Sequence, residues 1–258
     1  MSETIIFDRR LVRMRRERAA GSVGEVQAVL AEAAERLLDR LLDTKQQFRQ
    51  ALDLGGRGVV APMLAARGIS AVSADLSPRM AALGGGLAVC ADEEWVPFAE
   101  NSFDLIVANL SLHTVNDLPG ALIQLRRTLR PEGLFLASVP VLGTLAELRS
   151  ALAITETGLR NGVAARVSPY PDLRDCAGLL QRAGFTLPVA DLEEIALLYA
   201  NPFELLLDLR RAGETNAIHQ RDRAIPPRAL FPQALASLPR HGDRTPITLK
   251  IGVLTGWK

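Results

Sequence analysis

With 258 residues, 48% hydrophobic and 23% charged, the chain can build one sizeable core or at most two small ones, which excludes a disordered or fibrous protein. Thirty basic residues against twenty-nine acidic leave a formal charge of +1, without the basic excess of a nucleic-acid-binding domain. Two distant cysteines, Cys90 and Cys176, provide neither a disulfide framework nor a zinc site, and no long uncharged apolar run spans a membrane; the expected setting is the reducing cytoplasm.

Along the chain, residues 8–19 carry Arg9, Arg10, Arg13 and Arg16 at helical spacing. That run reads either as a solvated helical face or as a basic arm that covers a cleft or touches an acidic partner. Residues 25–43 repeat apolar side chains every three or four positions and form an amphipathic helix. Short apolar runs then alternate with helical stretches. RQALDLGG is a strand and 59–67 a helix; ISAVSADLS is a strand ending at Asp75, followed by a helix at 78–83. LAVCAD is a third strand, DLIVANL a fourth, 118–129 a helix and GLFLASV a fifth strand. This rhythm predicts right-handed crossovers and an α/β fold with a parallel sheet covered on both faces. Helices follow at 144–157, 172–183, 202–213 and 228–237, with a strand near 185–192, and TPITLKIGVLTGWK closes the chain as a strand. The organisation expected is a single domain over 1–258: a helical cap at 1–48, a cofactor-binding core at 49–140, substrate-side helices and a strand at 141–245, and the final strand at 246–258.

In doubly wound sheets ligands sit at the carboxyl ends of the strands. Asp53, Asp75 and Asp92 each fall at such an end, with Gly55, Gly56 and Gly58 beside the first. One reading makes each acid a helix cap. The other places Asp75 on the two hydroxyls of a ribose, as an acid that far downstream does in nucleotide-binding sheets, and Asp92 on an exocyclic amine. GxGxxG and GxxxxGK[ST] are both absent, so a dinucleotide or a P-loop phosphate is unsupported. An acid directly before the glycines would repel a pyrophosphate and suits a ligand with an ammonium and a sulfonium, which points to S-adenosylmethionine.

LDLGGRG, SADLS, ADEEWVPFAENSFDLIVANLSLH and LRRTLRPEGLFLAS together resemble the Rossmann-like (class I) S-adenosylmethionine-dependent methyltransferases over about residues 50–140. IFDRRLVRMRRERAA, LSLHTVNDLPGAL, FELLLDLRRAGETNA and LTGWK further resemble the assembly factor 5 branch for respiratory complex I, with its biotin-synthesis methyltransferase-like bacterial relatives. The resemblance implies a seven-stranded sheet whose last strand runs antiparallel. It also implies cofactor contacts for Asp53, Gly55, Gly56, Gly58, Asp75, Leu76, Asp92, Glu93 and Asn109. The glycine loop is one residue shorter than the family's D-x-G-x-G-x-G, so a tighter turn is expected. His113 is the only histidine near the site and serves either as a structural residue or as a catalytic base. The reading that follows is methyl transfer to a protein or carrier-bound substrate. An alternative carried by the resemblance is an assembly factor that hydroxylates an arginine of a complex I subunit, and a second is a non-catalytic binding module. No metal centre is expected: His241 and Asp243 make an H-x-D pair in a Pro-rich segment and nothing more.

Overall fold

The apolar runs of the first half of the chain become the parallel strands of a seven-stranded sheet. The computed structural model describes residues 5–160 and 162–258; positions 1–4 of the expected N-terminal cap and position 161 lie outside the described residues. In chain order the strands are β1 (Gln50–Leu54), β2 (Ser70–Asp75), β3 (Leu87–Cys90), β4 (Phe103–Asn109), β5 (Leu129–Pro140), β6 (Thr186–Tyr199) and β7 (Thr245–Trp257). Their spatial order is β3-β2-β1-β4-β5-β7-β6. Pairs from β3 through β5 are parallel, while β7 runs antiparallel to both β5 and β6. Strand order reverses between β1 and β4, where a doubly wound sheet opens its ligand crevice.

Helices cover both faces, which is why the central strands are apolar without alternation. On one face α2 (Gln27–Leu38) and α3 (Val60–Ala66) pack Leu37, Leu38, Val60 and Leu64 against Leu105, Val107, Leu134 and Leu136. On the other, α5 (Leu118–Thr128) and α7 (Leu173–Arg182) bury Leu122, Leu125 and Leu180 against Ile106, Phe135 and Ala137. A third core joins α6 (Ala146–Arg160), α8 (Phe203–Arg211) and α9 (Leu230–Ala236) through Leu148, Leu152, Leu205, Leu230 and Leu235. Caps fix where helices begin. Ser77 accepts from the amide of Met80 ahead of α4 (Pro78–Ala82), and Asp117 accepts from Gly120 ahead of α5, each with a proline in the first turn.

Two strands outrun their sequence pattern. β5 starts at Leu129 rather than at the expected Gly133, because Leu129 pairs with Phe103 across a register shift in β4. β6 continues to Tyr199 rather than stopping near 192, because β7 supplies a partner along its whole length, from Thr186 opposite Trp257 to Tyr199 opposite Thr245. At the other end of the chain, Asp8 caps α1 (Arg9–Ala19) by accepting from the amide of Leu11. This helix lies across the carboxyl ends of β2 and β4. The amide of Asp8 donates to the carbonyl of Ala217, and Asn116 Oδ1 accepts from the amides of Ile6 and Phe7 at 2.8 Å.

Candidate cofactor site and the adjoining cavity

The parallel register sets Asp53 of β1 opposite Ser73 of β2, and Asp75 of β2 opposite Cys90 of β3, so the acids end adjacent strands on one edge of the sheet. The loop after β1 turns sharply. Gly55 and Gly58 have φ of +70° and +80°, and Arg57 between them takes φ +52°, a left-handed conformation that costs a side-chain-bearing residue about 1–3 kcal/mol. Close approach also demands glycine here: a Cβ on Gly55 would lie 2.4 Å from Ser111 Cβ, and one on Gly56 would lie 2.0 Å from Asp53 Oδ1. The shortened loop is therefore folded tightly against the end of β4, where Ser111 Oγ donates to the carbonyl of Leu54 at 2.8 Å.

Asp53 is almost wholly buried. Its Oδ2 accepts from Ser73 Oγ and the Ala61 amide, both at 3.2 Å, while its Oδ1 has no partner. Burial pushes its carboxyl up to about 7, against the pull of those two donors. Asp75 Oδ1 accepts from the Ser77 amide at 2.8 Å. Leu76 packs with Val12 and Ala217. Asp92 accepts from the Glu94 amide at 2.9 Å. Asn109 is committed elsewhere: its amide donates to the Leu30 carbonyl at 3.0 Å, and its Oδ1 accepts from Ser138 Oγ at 2.7 Å. The structure thus gathers Asp53, Asp75 and Glu93 behind the glycine loop, with Asp92 on the rim, while the Asn109 side chain is spent on holding β4 to α2 and β5.

Two residues of α1 complete this cluster. Arg16 is 1% exposed, with one guanidinium nitrogen 2.6 Å from Glu93 Oε1 and 3.4 Å from Asp75 Oδ2, and the other 3.3 Å from the Ser111 carbonyl. Arg9 bonds Asp92 at 2.5 Å and also pairs with Glu93. Burial alone would lift the Glu93 carboxyl, but the two guanidinium groups outweigh it and hold the group at about 2. Burial lifts Asp75, against the attraction of Arg16. The arginine run is thus divided: Arg9 and Arg16 face the cleft, while Arg10 and Arg13 are exposed to solvent.

Through the same loop the cleft adjoins a largely apolar cavity of about 100 Å³, lined in part by Leu30, Arg57, Leu110, His113, Tyr170 and Glu214. Its polar end is a chain of contacts. Arg57 pairs with Glu214 and donates to the Leu110 carbonyl at 3.1 Å, and His113 Nε2 lies 2.7 Å from Glu214 Oε2. His113 Nδ1 is buried without a partner. Burial would raise Glu214, but His113 and Arg57 bring it well below the usual carboxylate range. His113 is therefore oriented by a carboxylate and presents one unpartnered nitrogen. Sequence reasoning missed Glu214, which lies 101 residues from His113 and carries no local signal of the contact. Arg9 and Arg16 did carry one, since a spacing of seven puts both on one helix face. Among the described residues no group of three or more His, Cys, Asp or Glu is gathered for a metal ion.

Residues 26–188 match a family model described as a methyltransferase domain. The chain belongs to the methyltransferase-domain family. Within that family this chain is 36% identical to the human arginine-hydroxylase NDUFAF5, mitochondrial, over 98% of its own length and 77% of the relative's. It is also 36% identical to the malonyl-[acyl-carrier protein] O-methyltransferase of Halorhodospira halophila, over 89% of its own length and 78% of that protein. Among solved structures, the YcgJ protein of Bacillus subtilis superposes with a TM-score of 0.58 at 15% identity, covering 87% of this chain and 98% of that one, a likeness of fold. The methyltransferase has the Rossmann-like sheet of its class, whose cofactor is S-adenosylmethionine. Its residues suit that molecule: an orphaned carboxylate oxygen on Asp53, a Gly56 backbone packed so closely on that carboxylate that a Cβ would collide with it, and further acids ending β2 and following β3.

Proposed function

We propose that this methyltransferase moves a methyl group from S-adenosylmethionine to an acceptor carried on a protein or carrier, the acceptor entering the cavity beside His113. The observation that carries the reading is the unpartnered oxygen of Asp53 at the cleft, beside a second cavity reached through the same glycine loop. When bound, the cofactor supplies an electrophilic methyl on a sulfonium. The chain's residues supply placement, which provides much of the rate of an in-line displacement. The Asp75 carboxylate would accept from the ribose hydroxyls and Asp92 from the exocyclic amine. Gly55, Gly56 and Gly58 would let the backbone close in, Leu76, Glu93 and the backbone of Asn109, whose side chain is taken up by Leu30 and Ser138, would complete the wall, and Asp53 would face the ammonium. His113, steered by Glu214, takes a proton from an acceptor that must lose one. The free thiols of Cys90 and Cys176 suit a reducing compartment, and the cytoplasm is the setting of this reading.

A second reading is hydroxylation of an arginine in a respiratory complex I subunit, with dioxygen as the oxidant and an external two-electron donor reducing its second oxygen atom to water. Its support is the agreement of the human, mouse, rat and zebrafish arginine-hydroxylase relatives, 32–36% identical over 98% of the chain. Calorimetric titration with S-adenosylhomocysteine tests the cofactor site. Wild type should bind in the micromolar range, about −8 kcal/mol, and Asp75→Ala should weaken binding at least tenfold; equal affinities would remove the ribose contact. Intact-mass analysis of a partner protein after reaction then separates the chemistries, by a gain of one CH2 for methylation or one oxygen for hydroxylation.

A further inference from the structure

Asp53, Asp75, Glu93 and Ser111 are at most 1% exposed, so no nucleoside reaches them as the chain stands. What covers two of them is α1, which lies outside the residues matched by the methyltransferase-domain model. Arg9 and Arg16 are two helical turns apart and project from one face. Arg16 lies on Asp75 and Glu93, and Arg9 lies on Asp92, Glu93 and the Thr114 carbonyl. Ser77 Oγ, donating to Glu17 Oε2 at 2.5 Å, ties the same helix to the start of α4.

We infer that α1 is a latch on the cofactor cleft: Arg9 and Arg16 hold the acceptor oxygens of Asp75, Asp92 and Glu93, and the cofactor enters only as these guanidinium groups give way. The inference rests on the cofactor reading above. A guanidinium, a ribose diol and an exocyclic amine are all hydrogen-bond donors, so they compete for the same carboxylate lone pairs. Until a ligand arrives, the arginines compensate carboxylates whose burial would otherwise be costly. Arg16 spans both acids, 3.4 Å from Asp75 and 2.6 Å from Glu93, so one guanidinium occupies lone pairs on each.

The test is stopped-flow mixing of the full chain with S-adenosylhomocysteine, followed through Trp95, which is exposed and lines the same surface groove as Arg9. In wild type the observed rate should level off at high ligand concentration, because opening becomes limiting. Arg9→Gln should raise that plateau about tenfold, the scale of one hydrogen bond to a charged group, and Arg9→Lys should keep it low. Rates that stay linear with equal slopes in wild type and Arg9→Gln, or weaker binding by Arg9→Gln, overturn the latch and leave the cofactor reading standing. Absence of binding by both proteins overturns both. Hydrogen exchange over Arg9–Ala19 in wild type is a readout independent of any variant: exchange altered by the ligand supports the latch, and exchange unchanged with ligand bound overturns it.

Discussion

At the scale of single residues, Asp53 joins an unpartnered oxygen to a carboxyl pushed up to about 7 by burial. A folded-state value above the unfolded one, near 4, means that the folded chain keeps a proton which the unfolded chain has already released. The stabilisation is complete below about pH 4 and is lost as pH rises to about 7. Asp53→Asn carries no such charge. Its stability relative to wild type should grow across that window, by on the order of 4 kcal/mol at pH 8, and the two should converge in acid. Urea denaturation at a series of pH values checks this, and a difference independent of pH would remove Asp53 as the titrating group. The three strand-end acids were legible because each stands where an apolar run stops. The locked amide of Asn109 was not, since its partners Leu30 and Ser138 come from other elements.

At the scale of elements, α1 is where local pattern and tertiary structure diverge most. Four arginines at helical spacing read first as a solvated face and only second as a cover; the structure splits them, and the partners of Arg16, 59 and 77 residues away, explain why it is inside. Removing one partner of a buried ion pair strands the other charge, so Arg16→Met should cost about 3–5 kcal/mol. Adding Glu93→Leu should recover only part of that loss, because Glu93 is no longer a stranded charge while buried Asp75 still lacks Arg16. Denaturation midpoints of the single and double variants decide the matter; additive losses would show that the pair is not coupled. The sign with pH is opposite to that of Asp53. Glu93 is held at about 2, so its contribution is present above the ordinary carboxylate range and fades as pH falls toward 2.

At the scale of the whole molecule, the alternation of short apolar runs with helices was enough to anticipate the parallel sheet, because burial on both faces leaves a continuous apolar signature. For β7 the alternation of TPITLKIGVLTGWK gave a strand and the resemblance its antiparallel direction, but its place between β5 and β6 was not legible, since strand order depends on packing between distant segments. β7 pairs with β5 on one side and β6 on the other. A chain ending at residue 244 would leave both of those long strands with an open edge, a template for association. Such a chain should be insoluble or oligomeric by size-exclusion chromatography, and a soluble monomer with cooperative unfolding would contradict the central role of β7.

The position of β7 also bears on how the molecule is made. During translation β6 leaves the ribosome well before β7, yet the two strands that flank β7 stand two strand spacings apart, about 10 Å. A nascent chain must hold that slot open, and resist pairing β5 directly with β6, until its last strand emerges. Synthesis from the N-terminus therefore produces the cofactor-side half early and delays closure of the sheet until β7 has emerged, the interval in which chaperones would have the most exposed strand edge to guard.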